Sequence, residues 1–245
     1  MRTVKADLHI HTVLSPCGDL GMSPRTIVEK AAEKNLEIIG ITDHNTTRQI
    51  PVVAELAAEK GIFVLRGVEI TSKEEIHCLA YFPDEDTCIR FQQYIDANLP
   101  YIENKEGTFG YQVLVDEHDR IVEMEEKLLI TALNRGIEEI EKKVHSLGGI
   151  FVPAHIDKKV NSILSQLGFI PPGLHYDALE ITCFTTAIES RRKFQIDEKV
   201  CIIQNSDAHF PEDIGKRFSF FTLEEPTFEE VKHAILRMNC DNMIL

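Results

Sequence analysis

Short apolar runs alternate with amphipathic stretches along almost the whole chain, and this alternation limits the folds open to it. "TVKADLHI" (3–10), "LEIIGIT" (36–42), "IFVLRGVEI" (62–70), "EIHCLAYF" (75–82), "IFVPAH" (150–155), "YDALEIT" (176–182) and "VCIIQNSDAH" (200–209) read as strands. The stretches between most of them carry helical periodicity. One begins at Ser23 as N-cap with Pro24 at the first helical position. Another begins near Pro51 and stops at Gly61, and a third runs from near Asp84 to about Asn98. Strand-then-helix repetition predicts a parallel sheet or barrel, and six or seven units fit a barrel better than an open sheet. A last strand, "RFSFFTL", and a last helix, "TFEEVKHAILRM", close the chain.

The rhythm breaks between Leu99 and Arg135. "YQVLVDEHDRIVEMEEKLL" in this stretch fits a short hairpin or a helical insert, so residues 99–135 are expected to form an insert or cap. The remainder of residues 1–245 is expected to be a single domain.

The ionisable residues follow this framework. Of ten histidines, His9, His11, His44, His155 and His209 fall at or just past expected strand ends. His9 and His11 lie two apart and so share a strand face. Glu69 ends one strand, Glu180 lies in another, and Asp207 precedes His209 by two. In an α/β barrel the C-terminal strand ends converge on one face, which gathers these residues into one pocket. His77 sits at the start of its run and joins them only if that strand is irregular or runs back toward the same rim. Mixed imidazole and carboxylate donors suit Zn²⁺, Mn²⁺ or Fe²⁺. The set exceeds the needs of one ion, which points to two or three, with Glu69 as the bridge. Such a centre activates water and clamps the oxygens of an in-line displacement at phosphorus.

The bulk properties exclude other classes. The net charge of −14 opposes tight, sequence-independent binding of long nucleic acid. Six dispersed cysteines without a CxxC pair read as reduced thiols of a cytoplasmic protein. The N-terminus lacks the pattern of a signal peptide, and no apolar run is long enough for a membrane span.

The pieces "DLHIHT", "ITDHN", "GVEI", "IHCLAY", "PAHID", "LEI" and "SDAH", spread over residues 7–209, together resemble the PHP family, named for polymerase and histidinol phosphatase. The resemblance implies a distorted (β/α)7 barrel with a small insert after the fourth strand. It also implies a metal-dependent phosphoesterase that hydrolyses a small phosphate ester or nucleotide with a metal-bound hydroxide. A 5′→3′ exonuclease acting on short oligonucleotides, a nucleotide 3′,5′-bisphosphatase and a histidinol phosphatase are alternatives. So is a non-catalytic metal-stabilised module of a larger assembly.

Carried over by position, His9, His11, Glu69 and Asp207 would hold one ion. Glu69, His77 and His155 would hold a second. His44 and His209 would hold a third with a loop carboxylate, for which Asp19 in the lengthened "LSPCGDLG" turn is the nearest candidate. Asp7 and Asp43 would orient imidazoles. Glu69, Asp207 and His209 are the expected catalytic groups, with His209 or an ion-bound water protonating the leaving oxygen. Lys158 and Arg48 are candidate grips for the substrate phosphate, against ordinary surface charge. Cys17 is read as a packed thiol rather than a ligand. His118, His145, His175 and His233 match no motif.

Overall fold

The computed structural model describes residues 1–237 and the backbone of 240–241. Strand β1 (Arg2–Ile10) leads into α1 (Pro24–Glu33), whose N-cap Ser23 accepts a hydrogen bond from Thr26 N. Strand β2 (Ile38–Ile41), helix α2 (Ile50–Glu59) and strand β3 (Phe63–Thr71) follow. Strands β1, β2 and β3 pair in parallel, with Ala6 opposite Ile38 and Ile38 opposite Phe63. The β1–β2 register shifts between Asp7 and Ile10. Gly40 lies across from the shift, where a Cβ would stand 2.2 Å from Leu8 O, so the close approach requires glycine.

Strand β4 (His77–Phe82) departs from the parallel expectation. It runs antiparallel to β3, with Thr71 opposite His77. The link Ser72–Ile76 explains this, because a parallel crossover needs roughly a dozen residues or more. The reversal puts His77 at the rim where β3 ends, which satisfies the condition set by its place in the sequence. Helix α3 (Glu85–Asn98), capped by Asp84, covers this edge.

Residues 99–135 contain the short helix α4 (Glu106–Phe109) and an antiparallel hairpin of β5 (Val113–Val115) and β6 (Ile121–Met124). Helix α5 (Ile137–Ser146) then returns the chain to β7 (Ile150–Pro153), antiparallel to β4. The short helix α6 (Ile163–Leu167), strand β8 (Ala178–Ile181), helix α7 (Ala187–Phe194) and strand β9 (Cys201–Gln204) follow, with β8 and β9 parallel. Strand β10 (Ser219–Leu223) runs antiparallel to the first half of β1. Helix α8 (Phe228–Leu236) and the two-residue strand β11 (Cys240–Asp241) complete the described fold.

The main sheet has the order β11-β10-β1-β2-β3-β4-β7 and curls. The β8/β9 pair lies between its ends. Asp177 N donates to Phe151 O and Ile156 N to Glu180 O on the β7 side. On the β1 side, Ala208 N donates to His9 O and His11 N to Ala208 O. Leu8, Leu65, Leu79, Tyr81, Val152 and Ile203 belong to one buried apolar cluster, and the Tyr81 hydroxyl donates to Leu8 O at 2.8 Å. Among the described residues no helix is long and apolar enough to cross a membrane. Cys17, Cys78, Cys88 and Cys183 are free thiols, whereas Cys201 is disulfide-bonded, which departs from the all-thiol expectation.

Candidate metal centre

The ends of β1, β2, β3, β7 and β9 and the start of β4 meet at one rim. A parallel bridge between His44 and Glu69 extends β2 alongside β3 and sets those two side chains together. Ala208 bridges Ile10 and brings Asp207 and His209 beside the His9/His11 pair.

Four donors enclose a small space. His9 Nε2 lies 3.2 Å from His11 Nε2, 3.5 Å from Glu69 Oε1 and 3.4 Å from Asp207 Oδ1. His11 Nε2 lies 3.4 Å from Glu69 Oε2 and 3.5 Å from Asp207 Oδ1. A tetrahedral ion with bonds of about 2.1 Å separates its donors by roughly 3.4 Å, so the spacing matches a cation cage. Glu69, 1% exposed, serves more than this cage. Its Oε1 lies 2.9 Å from His77 Nδ1 and 3.0 Å from His155 Nε2, and its Oε2 lies 3.1 Å from His44 Nδ1.

Buried orphan atoms give a second test of fit. His44 Nδ1, His77 Nε2 and His155 Nδ1 are buried without a hydrogen-bond partner. Such atoms are costly unless something supplies the missing contact. For His44 Nδ1 a cation beside Glu69 would do so. The residues present fit divalent ions.

Carboxylates and hydroxyls behind the donors hold them in place. Glu180 contacts His9 Nδ1 through both oxygens, at 3.0 and 3.1 Å, and accepts from His155 N and Asn205 Nδ2. It therefore fixes the tautomer that leaves His9 Nε2 facing the cage. His11 Nδ1 meets Ser15 Oγ at 3.0 Å, and Ser15 Oγ donates to Asp43. Asp43 reaches the His11 ring through Ser15, and neither Asp43 nor Asp7 has a direct hydrogen bond to an imidazole. Asp43 holds Thr12 N and Thr12 Oγ1, while Asp7 accepts from Ser206 N and Gly215 N, so both tie down loop backbone. His155 (φ 30°), Asp207 (φ 53°) and Asn45 (φ 48°) adopt left-handed backbone conformations that cost side-chain-bearing residues about 1–3 kcal/mol each.

The electrostatics separate two kinds of group. Burial would push Glu69 up, but the charges of His77, His44 and His9 hold it well below the usual carboxylate range. Asp207 is likewise raised by burial and pulled well below its ordinary value by His9, His11 and Lys158. Burial lowers His9, yet Glu180, Asp207 and Glu69 outweigh it and raise His9 well above its ordinary value. Burial drives His44 well below its ordinary value, and burial with the charge of His11 takes His209 down to about 4. The rim thus holds ionised carboxylates beside neutral His44 and His209, the states that bind cations, while His9 would give up its proton when an ion binds.

The structure brings together His9, His11, His44, Glu69, His77, His155, Asp207 and His209. Asp19 stands apart: its Oδ1 accepts from Gly21 N at 2.7 Å, closing its own turn. Cys17 occupies the place expected of a loop carboxylate, grouped with His11, His44 and His209. Lys158 sits at the rim, paired with Asp207 Oδ2. Arg48 does not reach the rim cluster; it pairs with Glu123 and with Glu125 at 3.1 Å on and after β6. Sequence reasoning missed Asn45, whose side-chain amide donates to Leu129 O and Thr131 O and binds the rim to the insert. Its only signal is its place next to His44.

The sequence matches the PHP domain family over residues 7–168, and the chain belongs to that family. It is 25% identical over 275 residues to the uncharacterized protein YqxK of Bacillus subtilis, covering 96% of this chain and 62% of that one. It is 38% identical over 73 residues to the 5′-3′ exoribonuclease Rnm of Salmonella typhimurium, covering 29% of this chain and 24% of that one. Its fold is similar to that of the lesion-specific endonuclease EndoQ of Pyrococcus furiosus, with a TM-score of 0.72 and 21% identity, covering 96% of this chain and 56% of that one. The chain thus spans a little over half the length of YqxK and of EndoQ.

Proposed function

We propose that the protein is a metal-dependent phosphoesterase whose rim holds at least two divalent ions. The observation that carries this reading is Glu69, whose two carboxylate oxygens serve the His9/His11/Asp207 cage and the His77/His155 pair at once. Zn²⁺, Mn²⁺ and Fe²⁺ all suit this donor set. Ions bound there would supply Lewis acidity and an activated water. Within the same reading, β1, β2, β3, β4, β7, β8 and β9 make a distorted seven-stranded barrel, and residues 99–135 are an insert that caps one side of it.

The chain's own groups perform the remaining tasks. Lys158, tethered to Asp207, offers its ammonium to a phosphoryl oxygen. Glu180 and Ser15 fix the ring orientations of His9 and His11. His209 places Nδ1 2.8 Å from Asp207 O, which takes the ring proton and leaves Nε2 as a lone pair. That tautomer favours ligation over protonation of the leaving group. Arg48, neutralised by two glutamates, has no part in phosphate binding here.

A cleft of about 310 Å³ opens beside the centre, lined by His155, Lys158, Asp207, Arg217 and Phe184 among others. It falls at the small end of ligand sites, roughly 300–1,000 Å³, and favours a small phosphate ester or nucleotide. Phe184, 91% exposed at the cleft wall, favours a substrate with a base that can stack. The names of the exoribonuclease and endonuclease relatives support phosphodiester chemistry, which makes the end of a short oligonucleotide the second reading. The convergence of the donors argues against a non-catalytic module. Four free thiols favour a cytoplasmic setting, and the Cys201 disulfide weighs against it.

The test is metal analysis of the purified protein followed by assays on phosphomonoesters, nucleotides and oligonucleotides. Bound metal with turnover that chelation removes is the expected result. Metal-free protein that hydrolyses none of these after reloading with Zn²⁺, Mn²⁺ or Fe²⁺ would refute the reading.

A further inference from the structure

We infer that Cys17 is a metal ligand and that, with His44 and His209, it forms a third site that takes a zinc-class ion in preference to Mg²⁺ or Mn²⁺. This inference rests on the multinuclear reading above. It concerns a donor which the sequence pattern presents as an ordinary thiol.

One ligand atom from each of His11, Cys17, His44 and His209 lies within 4.8 Å of the others. Tetrahedral bonds of about 2.0–2.3 Å separate donors by roughly 3.3–3.8 Å, so closure needs shifts of at most about 1–1.5 Å, within reach of side-chain rotation. His11 already has both nitrogens engaged, Nδ1 by Ser15 Oγ and Nε2 by the cage of Glu69 and Asp207. That leaves Cys17, His44 and His209 as the available donors. His209 turns Nδ1 to Asp207 O, which frees Nε2. His44, 3% exposed, offers Nδ1, which has no hydrogen-bond partner and lies 3.1 Å from Glu69 Oε2, so that Glu69 borders this site as well.

The loop delivers Cys17 to this place. Gly18 N donates to Ser15 O, and Asp19 N donates to the carbonyl of His209 itself. From outside, Gly110 (φ 94°) approaches so closely that a Cβ there would lie 2.3 Å from Pro16 O. A packed thiol would sit among apolar side chains; the Cys17 thiol is grouped with three imidazoles. One thiolate with two imidazoles is a soft donor set. It prefers Zn²⁺, Co²⁺ or Fe²⁺ to the oxygen-seeking Mg²⁺ and Mn²⁺.

The test uses metal alone as the probe. Full-length apoprotein titrated with Co²⁺ is expected to develop a thiolate-to-cobalt charge-transfer band in the near ultraviolet. Zn²⁺ is expected to slow alkylation of Cys17 about ten-fold, and Mg²⁺ to leave it unchanged. Peptide mapping resolves the site, with exposed Cys183 as the internal control. Cys17→Ser should lose the band and about one ion per chain. Cys17→Asp should regain that ion with a shift of preference toward Mn²⁺. Absence of the band in saturated wild-type protein, its persistence in Cys17→Ser, or alkylation indifferent to Zn²⁺ would overturn the inference. The alkylation arm needs no variant, so misfolding of either substitution leaves the test intact. Phosphoesterase turnover without the band defeats this inference alone. The band without turnover defeats the functional reading alone.

Discussion

At the rim, buried ionisable side chains turn their donor atoms toward one another; in the hairpin of β5 and β6, Ile121, Val122 and Met124 face water. What the insert buries is amide hydrogen bonding. Gln112 donates to Glu125 O and Lys127 O and accepts from Leu129 N. Gln49 grips Val115 N and Val115 O across the boundary with α2. The insert's backbone therefore pairs with both amides, and only Asn104 Oδ1 and Thr131 Oγ1 among its buried side-chain polar atoms lack a partner. The rim leaves three imidazole nitrogens without a hydrogen-bond partner, and one of them, His44 Nδ1, stands 3.1 Å from Glu69 Oε2, where a cation would supply the missing contact. The difference predicts that perturbing the two regions damages different properties.

The largest effect should follow from Glu69→Gln. The substitution removes the shared charge while keeping shape, and turnover should fall by roughly 10³-fold or more, about 4 kcal/mol of transition-state stabilisation. Metal content should drop by more than one ion per chain, while circular dichroism stays close to wild type. Full turnover in this variant would break the contrast, because the rim would then not depend on its bridging carboxylate.

Glu180→Gln should act more mildly. The amide can still accept from His155 N, but it no longer holds His9 Nδ1–H with a charge. Loss of such a supporting carboxylate weakens metal affinity by about 10–100-fold. Competition against a chelator measures this directly, and excess metal should restore most of the turnover. A variant that no metal concentration rescues would make Glu180 more than a support.

The same contrast governs what the sequence discloses. His9, His11, His44, Glu69, His155, Asp207 and His209 are legible because cation binding admits few residue types and strand ends fix where they stand. His77 is legible only together with chain length: the link Ser72–Ile76 is too short for a crossover, so β4 must turn back. The strand-then-helix rhythm leaves that reversal only as a condition, and the link length meets it. The choice between Cys17 and Asp19 is hidden, because loop spacing does not say which side chain turns inward. Arg48 shows the limit for charge: it lies next to a motif, but its partners Glu123 and Glu125 are some 75 residues away in sequence. Asn45, Gln49 and Gln112 are hidden for another reason. They bond to backbone, which every residue offers, so no partner pattern marks them.

Gln112→Ala sharpens the contrast from the insert's side. It removes three hydrogen bonds and leaves backbone groups of Glu125, Lys127 and Leu129 without their partner. Stability should fall by about 1–3 kcal/mol in chemical denaturation, while metal content stays at the wild-type level and turnover changes less than about two-fold. A loss of metal comparable with that of Glu180→Gln would mean that the insert does more than shield the loop from Thr12 to Cys17. It would then help to position that loop for binding.

The smallest effect lies away from both regions and separates ordinary ion pairing from cation binding. His145 on α5 meets Asp177 at 2.9 Å and Glu141 at 2.7 Å. Its hydrogen bond to Asp177, with that to Glu141, raises its pKa above the ordinary value, against a smaller opposing effect of burial. A raised folded-state pKa means that the protonated form is the one stabilised by folding. The contribution is therefore fully present below the unfolded value of about 6.5 and is lost as pH rises through the folded value. Urea midpoints of the metal-loaded protein should fall across that window, and His145→Gln should flatten the slope without altering metal content. His9 is also raised by neighbouring carboxylates, but those carboxylates face a cation cage. If His145→Gln leaves the pH slope unchanged, the titrating group belongs to the rim, and cation occupancy there, rather than a peripheral ion pair, sets how stability varies with pH.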